Sequence, residues 1–149
     1  MADKIILLVD DNENDVFLAQ RTLKKSNIAN DVVVVGDGQE ALDYLFGKGK
    51  YTGRDLTQMP VVTLLDLKMP KVDGFEVLRQ IRANPQIRLL PVVCLTSSKL
   101  EIDIIKGYNE GCNAYVTKPV DFDQFAEAVK QLGLFWLVLN EPPPKIGKQ

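Results

Sequence analysis

The sequence predicts an α/β fold in which a five-stranded parallel sheet carries helices on both faces. Two observations predict this class. Short apolar runs alternate with segments of helical periodicity along the chain, in the order strand then helix, repeated five times. The runs are continuously apolar, which is typical of strands that helices cover on both faces of a sheet. With 149 residues, the chain is long enough for one domain that buries about two-thirds of its unfolded surface.

The five predicted strands are short and well separated. They are Ile5–Val9, Asp31–Val35, Val61–Leu65, Val92–Leu95 and Ala114–Thr117. Four of them run directly into a group that can contact a metal or a phosphate, namely Asp10-Asp11, Asp66, Thr96 and Lys118. Ligands of parallel sheets bind outside the carboxyl ends of the strands, so we expect these groups to lie at one edge and form a site.

The predicted helices fill the intervals between the strands. They cover Asn14–Lys25, Gln39–Phe46, Gly74–Ala83, Leu100–Asn109 and Phe122–Val138. Asn12 or Asn14 is the expected N-cap of the first helix, and Asp121 or Asp123 that of the last. The connection from Gly47 to Pro60 exceeds the usual length of about 2–6 residues, and it is either an exposed insertion without a role or an interaction loop.

Composition excludes several classes of function. The net charge of −2 and the pI near 5.2 argue against a large nucleic-acid interface. There is no histidine, which excludes Ser/His and Cys/His nucleophiles and most zinc sites. The first residues lack a basic stretch and a small-residue cleavage site, so we expect no signal peptide. No apolar run approaches the ~20 residues of a membrane span. Cys94 and Cys112 look like small core residues, so we expect a reducing cytoplasm.

The adjacent carboxylates Asp10 and Asp11 predict a metal site. Paired carboxylates at a buried rim need a cation to remain ionised, and a hard divalent ion such as Mg²⁺ suits these two together with Asp66. The alternative is that Asp10 and Asp11 simply cap the following helix.

Asp66 ends the most apolar strand, where an idle carboxylate would be costly. Carboxylates are nucleophiles for phosphoryl groups, and phosphoryl transfer depends on positioning and charge neutralisation. The reaction needs a nucleophilic oxygen, a divalent ion, a cation and a hydrogen-bond donor. Asp66, the metal, Lys118 and Thr96 supply them. Taken alone, Lys118 would be an ordinary surface lysine and Thr96 an ordinary strand-end hydroxyl.

Together these residues resemble the receiver domain of two-component response regulators, over residues 4 to 132. The elements that carry the resemblance are Asp10-Asp11, Asp66 with Leu67-Lys68-Met69-Pro70 and Asp73-Gly74, Thr96-Ser97, and Tyr115 before Lys118-Pro119. The resemblance implies a flavodoxin-like (βα)5 fold. It also implies a protein that is not an enzyme, apart from Mg²⁺-dependent phosphorylation and dephosphorylation of itself. A histidine kinase would supply the phosphoryl group.

The resemblance also implies a role for individual residues. Asp66 would be the phosphoacceptor and would contact Mg²⁺, which Asp10 and Asp11 hold. The backbone carbonyl of Lys68 would complete the protein ligands.

The same resemblance implies a switch. Lys118 would contact the acyl phosphate, and its bond to Pro119 would be cis. Thr96 and Tyr115 would be the switch pair. The phosphoryl oxygens would draw in the Thr96 hydroxyl, and Tyr115 would move into the vacated space. The surface of the fourth helix, fifth strand and fifth helix would shift as a result.

The end of the last predicted helix is more apolar than one buried face requires. Its core stripe is Phe122, Phe125, Ala126, Val129, Leu132 and Trp136. Phe135, Leu137, Val138 and Leu139 then fall elsewhere on the helix. Either the tail folds over them or, as we favour, they form a symmetric homodimer interface with Trp136. We expect a receiver domain over residues 1–139 and a Pro-rich, flexible tail over 140–149.

The long Gly47–Pro60 connection and the Phe135-Trp136 ending indicate a narrower resemblance, to the stand-alone regulators that partner bacterial phytochrome kinases. We therefore expect no output domain, and signalling by protein contact, dimerisation or phosphorelay. Three rival functions are weaker. A haloacid dehalogenase-type phosphotransferase needs Asp-x-Asp, but Asp66 precedes Leu67-Lys68. A flavin protein would not place Asp10-Asp11 at its phosphate loop. A degenerate receiver used as a scaffold would lack one of the site residues.

Overall fold

The structure is a computed structural model, and it describes residues 5–25, 31–69, 72–96, 111–118 and 120–132. Five strands form one parallel sheet in the order β2-β1-β3-β4-β5. They are β1 (Ile5–Val9), β2 (Asp31–Val35), β3 (Val62–Asp66), β4 (Val92–Thr96) and β5 (Ala114–Thr117). The predicted fold class is confirmed, with β3 at the centre of the sheet.

Four α-helices lie in the described part of the chain. They are α1 (Glu13–Lys25), α2 (Gly38–Phe46), α3 (Gly74–Ala83) and α4 (Phe122–Gln131), with a 3-10 turn at Gly49–Tyr51. The helix α4 is the fifth helix of the sequence prediction. The predicted helix Leu100–Asn109 lies outside the described residues, as does everything after Leu132, including Trp136 and the Pro-rich tail. None of the described helices has the length and apolar composition to cross a membrane.

Polar side chains cap the helices at their amino ends. The Oδ1 of Asn12 accepts a hydrogen bond from the Asp15 backbone N at 2.9 Å, so Asn12 caps α1. Asp121 likewise accepts from the Gln124 backbone N at 2.8 Å and caps α4. Each cap satisfies a backbone donor that the helix leaves unpaired and contributes about 1 kcal/mol. The first cap decides where α1 starts, directly beside the end of β1.

Side chains of the sheet alternate between two buried clusters. Leu7, Leu65 and Cys94 point to the face that α2 and α3 cover. The intervening residues Leu8 and Leu64 point to the face that α1 and α4 cover. Helices therefore cover both faces, which explains why the strands read as continuous apolar runs.

The residues predicted to form the core of the last helix are buried where the structure describes them. Phe125 and Val129 are fully buried, while Ala126 and Leu132 are partly buried in the same cluster. The side chain of Phe122 lies outside the described residues. Cys94 and Cys112 are also buried, and both are free thiols.

The long connection after α2 packs back against that helix. The Tyr51 hydroxyl donates to Glu40 Oε2 at 2.7 Å. Arg54 Nε donates to the Tyr44 backbone O at 2.7 Å, and its guanidinium carbon lies 4.0 Å from the centroid of the Tyr44 ring. The segment therefore makes specific contacts with α2. Neither of the predicted alternatives, an exposed insertion without a role and an interaction loop, required such contacts.

Candidate functional site

Three of the predicted site residues meet at the carboxyl edge of the sheet. Asp10 directly follows β1, Asp66 ends β3 and Lys118 directly follows β5. Only 3% of Asp10 and 3% of Asp66 is exposed to solvent. Two carboxylates this buried require a cation beside them.

The ammonium of Lys118 is that cation. Its Nζ lies 2.9 Å from Asp10 Oδ2 and 3.0 Å from Asp66 Oδ2. It also lies 3.0 Å from Oδ2 of Asp15, in the first turn of α1. A lysine ammonium has three N–H donors, so one carboxylate oxygen is available for each of them.

Burial and pairing shift the pKa values of this cluster. Burial raises the pKa of Asp66 to about 6, against the opposing effect of Lys118 and of the Lys68 backbone N–H. Burial disfavours the charged form of Lys118, but hydrogen bonds to Asp10, Asp15 and Asp66 outweigh this. They hold the pKa of Lys118 above its ordinary value. The lysine therefore stays positive while the central carboxyl is unusually easy to protonate.

Asp10, Asp11 and Asp66 fit a divalent metal ion. Each offers a carboxylate oxygen, and these oxygens lie within 4.8 Å of one another. Hard cations such as Mg²⁺ and Mn²⁺ prefer such all-oxygen sites. Asp11 is exposed, so the cluster is open to solvent on that side. The alternative of two simple helix caps is wrong, because Asn12 is the cap of α1.

Backbone N–H groups hold the two buried carboxylates from behind. The Asn12 N donates to Asp10 Oδ1 at 2.9 Å. The Lys68 N donates to Asp66 Oδ1 at 3.1 Å. These bonds use Oδ1 of each aspartate and leave Oδ2 directed to Lys118. They also hold the orientation of both carboxylates, as hydrogen bonds around a metal site orient its ligands. The Lys68 side chain itself is exposed.

A glycine allows α3 to start beside the central carboxylate. A Cβ atom at Gly74 would lie 2.2 Å from the backbone O of Asp66, far inside contact distance. The Gly74 N donates to the Leu67 backbone O at 3.2 Å, which closes the turn. Asp73 caps α3 by accepting from the Glu76 N at 3.0 Å. The Asp73-Gly74 pair therefore has a packing reason as well as a capping one.

Thr96 and Tyr115 lie on the face of the sheet opposite to α1. Thr96 ends β4, is 1% exposed, and accepts a hydrogen bond from the Lys118 backbone N through its own backbone O at 3.0 Å. Tyr115 is the register partner of Cys94, so its half-buried ring and the Thr96 side chain share the face that α2 and α3 cover. By the same alternation, Asp66 and Lys118 follow Leu64 and Val116 toward α1. Pro119 lies outside the described residues.

Asp15 is the site residue that sequence reasoning missed. Its acidic type and its position in the first turn of a helix are ordinary, because acidic residues favour helix amino ends. The available signal was its spacing of five residues from Asp10, just beyond the strand end. A contact between Asp15 and Lys118 can be inferred from that spacing only when the rotation of α1 about its own axis, relative to β5, is known.

Comparison with known proteins identifies the family. Residues 6–130 match the profile of the response regulator receiver domain. The chain belongs to this family. As a receiver domain it adopts the flavodoxin-like fold and is part of a two-component, phosphorylation-based signalling system, in which receivers pair with histidine kinases. The haloacid dehalogenase and scaffold alternatives are not favoured.

Several relatives match this receiver domain over most of their own length, as stand-alone regulators do. It is 39% identical over 134 residues to "Response regulator Rcp1" of Synechocystis sp. (strain ATCC 27184 / PCC 6803 / Kazusa), covering 90% of this chain and 89% of that protein. The structure of "Bacteriophytochrome response regulator RtBRR" is 52% identical with a TM-score of 0.82, covering 97% of this chain and 87% of that one. The Mn²⁺-bound form of Rcp1 is 37% identical with a TM-score of 0.73, covering 95% and 99%. This receiver domain is therefore of the stand-alone, Rcp-like type.

Proposed function

We propose that this receiver domain accepts a phosphoryl group from a histidine of its partner kinase onto Asp66, in a Mg²⁺-dependent reaction. The observation that carries the proposal is the Lys118 ammonium within 3.0 Å of both buried carboxylates, Asp10 and Asp66. A cation fixed beside a carboxylate nucleophile is one of the parts that phosphoryl transfer requires.

The transfer exchanges one bond for another. An oxygen of the Asp66 carboxylate forms the new bond to phosphorus while the bond from phosphorus to the kinase's imidazole nitrogen breaks, and that nitrogen leaves with the electron pair. Lys118 stabilises the charge on the phosphoryl oxygens, and the Lys68 N–H orients the nucleophile. Water would later hydrolyse the acyl phosphate and return Asp66 to a carboxylate.

Asp10, Asp11 and Asp66 would hold Mg²⁺ together with the backbone carbonyl of Lys68. Bound Mg²⁺ would neutralise charge that develops on the transferring group. The proposal is supported by the 4.8 Å carboxylate cluster and by the Mn²⁺-bound form of the relative Rcp1. Mg²⁺ is the resident ion we propose for this chain.

Thr96 and Tyr115 are the proposed switch pair. A phosphoryl group on Asp66 would attract the Thr96 hydroxyl, because the two residues end neighbouring strands. Tyr115 would then move on the same face of the sheet, and the surface formed by residues 100–109, β5 and α4 would change. A cis bond between Lys118 and Pro119 belongs to the same proposal.

We further propose a bacterial phytochrome as the kinase and a homodimer through the end that includes Trp136. The name of the relative RtBRR supports the first proposal. The apolar composition after Leu132 supports the second. Residues 1–139 would be the receiver and 140–149 a Pro-rich tail. The two free, buried thiols favour a cytoplasmic location.

Labelling of Asp66 tests the central proposal. Wild type, Asp66→Asn and the control Asp31→Asn are incubated with Mg²⁺ and a small acyl phosphate, and the phosphoprotein is quantified by intact mass. Asp31 is an exposed carboxylate at the start of the edge strand β2, so its variant has the same chemical change away from the site. We expect label in wild type and Asp31→Asn, lost on chelation of Mg²⁺ and absent from Asp66→Asn. Equal labelling of all three would refute the acceptor assignment.

Sedimentation tests the dimer. Wild type and Trp136→Glu are compared with and without beryllofluoride at equal concentration. We expect Trp136→Glu to sediment as a monomer under conditions in which wild type is dimeric. An unchanged mass would show that this helix end does not form the interface.

A further inference from the structure

Asp15 contacts Lys118 from outside the metal cluster. Its Oδ2 lies 3.0 Å from Nζ, although the two residues are 103 positions apart in the chain. The Asp15 side chain is 29% exposed, against 9% for Lys118. Its backbone is fixed by the cap of α1, because the Asp15 N donates to Asn12 Oδ1. The carboxylate is therefore held at the solvent side of the ammonium.

The donors of Lys118 are all occupied before any phosphoryl group arrives. Asp10, Asp15 and Asp66 place one oxygen each within 3.0 Å of Nζ, and the ammonium has three N–H groups. A phosphoryl oxygen can bond to Lys118 only if one of these partners gives way.

Asp15 is the partner whose release is easiest. Asp10 and Asp66 belong to the cluster of oxygens that a metal ion would bind, and both are almost fully buried. Asp15 is not in that cluster, and water can solvate its carboxylate once the bond to Lys118 is lost. A partly exposed ion pair of this kind costs less to break than a fully buried one, because water replaces part of what the carboxylate loses.

We propose that Asp15 is a positioning residue. It holds Lys118 in the resting protein and releases this lysine to the phosphoryl group on Asp66. The proposal rests on the proposed function, because Asp66 must be the acceptor. When a metal ion binds the oxygens of Asp10 and Asp66, Asp15 remains as a partner of the Lys118 ammonium. When Asp66 is phosphorylated, Asp15 competes with the phosphoryl oxygens for Lys118 and adds a like charge beside them.

This role gives the removal of Asp15 two effects of opposite sign. Without Asp15, Lys118 stays closer to Asp10 and Asp66, so metal binding weakens. Without the competing carboxylate, an anionic phosphoryl group on Asp66 is held more tightly. A merely structural role, such as support of the first turn of α1, would weaken both kinds of binding together.

The test compares Asp15→Asn with Glu13→Gln. Glu13 lies in the same turn of α1 and is exposed, and it is not among the described partners of Lys118. The control therefore removes the same charge without touching the lysine. Mg²⁺ affinity is measured by calorimetry with no phosphoryl group present. Beryllofluoride affinity is measured by ¹⁹F NMR in saturating Mg²⁺.

Relative to Glu13→Gln, we expect Asp15→Asn to bind Mg²⁺ about two- to fivefold more weakly and beryllofluoride about two- to fivefold more tightly. Equal affinities in the two variants, or changes of the same sign, would overturn the role of Asp15. If wild type binds Mg²⁺ but no beryllofluoride, the proposed acceptor function fails and the exchange fails with it. The Mg²⁺ titration still reports whether Asp15 holds the lysine.

Discussion

The guanidinium of Arg82 donates twice to the backbone O of Gly111, from Nε at 3.0 Å and from Nη2 at 2.8 Å. Its Nη1 donates to the Leu90 backbone O at 2.7 Å, and Nη2 also reaches Asn113 Oδ1 at 2.7 Å. One side chain near the end of α3 thus connects the segments that lead into β4 and β5. These are the strands that carry Thr96 and Tyr115.

Arg82→Lys tests this connection. Lysine keeps the charge but loses the planar fork that serves Gly111 from two nitrogens, so we expect the free energy of unfolding to fall by about 1–3 kcal/mol. Urea denaturation measures it. Arg88→Lys is the control, because the Arg88 side chain is exposed and only its backbone O is used by Arg82. Equal stability of both variants would show that the fork contributes nothing.

Thr63→Val should stabilise the protein. Thr63 is fully buried in the central strand, and its hydroxyl has no hydrogen-bond partner among the described residues. Replacing an unpaired buried hydroxyl by a methyl group of the same shape removes a desolvation cost, so we expect a gain of about 1 kcal/mol. The reverse change next to it, Val62→Thr, should cost about 1–3 kcal/mol. Thermal denaturation of both variants decides, and a loss of stability in Thr63→Val would contradict the prediction.

Gly74→Ala should damage both the fold and the site. The added methyl would meet the backbone O of Asp66 at 2.2 Å, so β3 and α3 must separate. We expect a loss of about 2 kcal/mol or more in unfolding free energy and weaker Mg²⁺ binding in the fraction that folds. Gly36→Ala is the control, because its methyl would come no closer than 3.8 Å, to Glu40 Oε1. If Gly74→Ala binds Mg²⁺ as tightly as Gly36→Ala does, the close approach is not required.

The pKa of Asp66 predicts a pH dependence of stability in the metal-free protein. The folded-state pKa is about 6, above the ordinary 3.8, so the folded protein binds this proton more tightly than the unfolded chain does. The resulting stability is fully present below pH 3.8 and is lost as the pH rises through about 6. Relative to Asp66→Asn, wild type in a chelator should lose about 1–3 kcal/mol between about pH 4.5 and about pH 7. Urea denaturation across this range measures the difference. The Asp31→Asn profile should run parallel to wild type, and a constant gap between wild type and Asp66→Asn would exclude the shifted pKa.

The meeting of Asp10, Asp66 and Lys118 was predictable from the sequence. Each of these residues ends or follows a continuously apolar strand, and strand direction alone brings them to one edge. The bounds of α3 were equally predictable, because Asp73-Gly74 starts the helix and Asn84-Pro85 follows its end.

Contacts that depend on how helices are rotated against the sheet were not predictable. Asp15 reaches Lys118 only because α1 packs on the same face toward which Lys118 points. The fork from Arg82 to Gly111 spans 29 residues and depends on how α3 packs against the start of β5. The missing partner of Thr63 is likewise a property of the packed core. Periodicity predicts which face of a helix or strand is buried. It does not predict which side chains on two packed faces contact each other.

The sheet places the side chains of the proposed acceptor and of the proposed switch pair on opposite faces. Asp66 and Lys118 follow the alternation toward α1 and α4, whereas Thr96 and Tyr115 follow it toward α2 and α3. A substitution beside the Tyr115 ring, on the side of α2 and α3, can therefore change the surroundings of the switch pair without contacting the Asp66 carboxylate or the Lys118 ammonium. In a lineage of such regulators, the packing around the switch pair can diverge while the carboxylate and ammonium of the acceptor cluster stay the same.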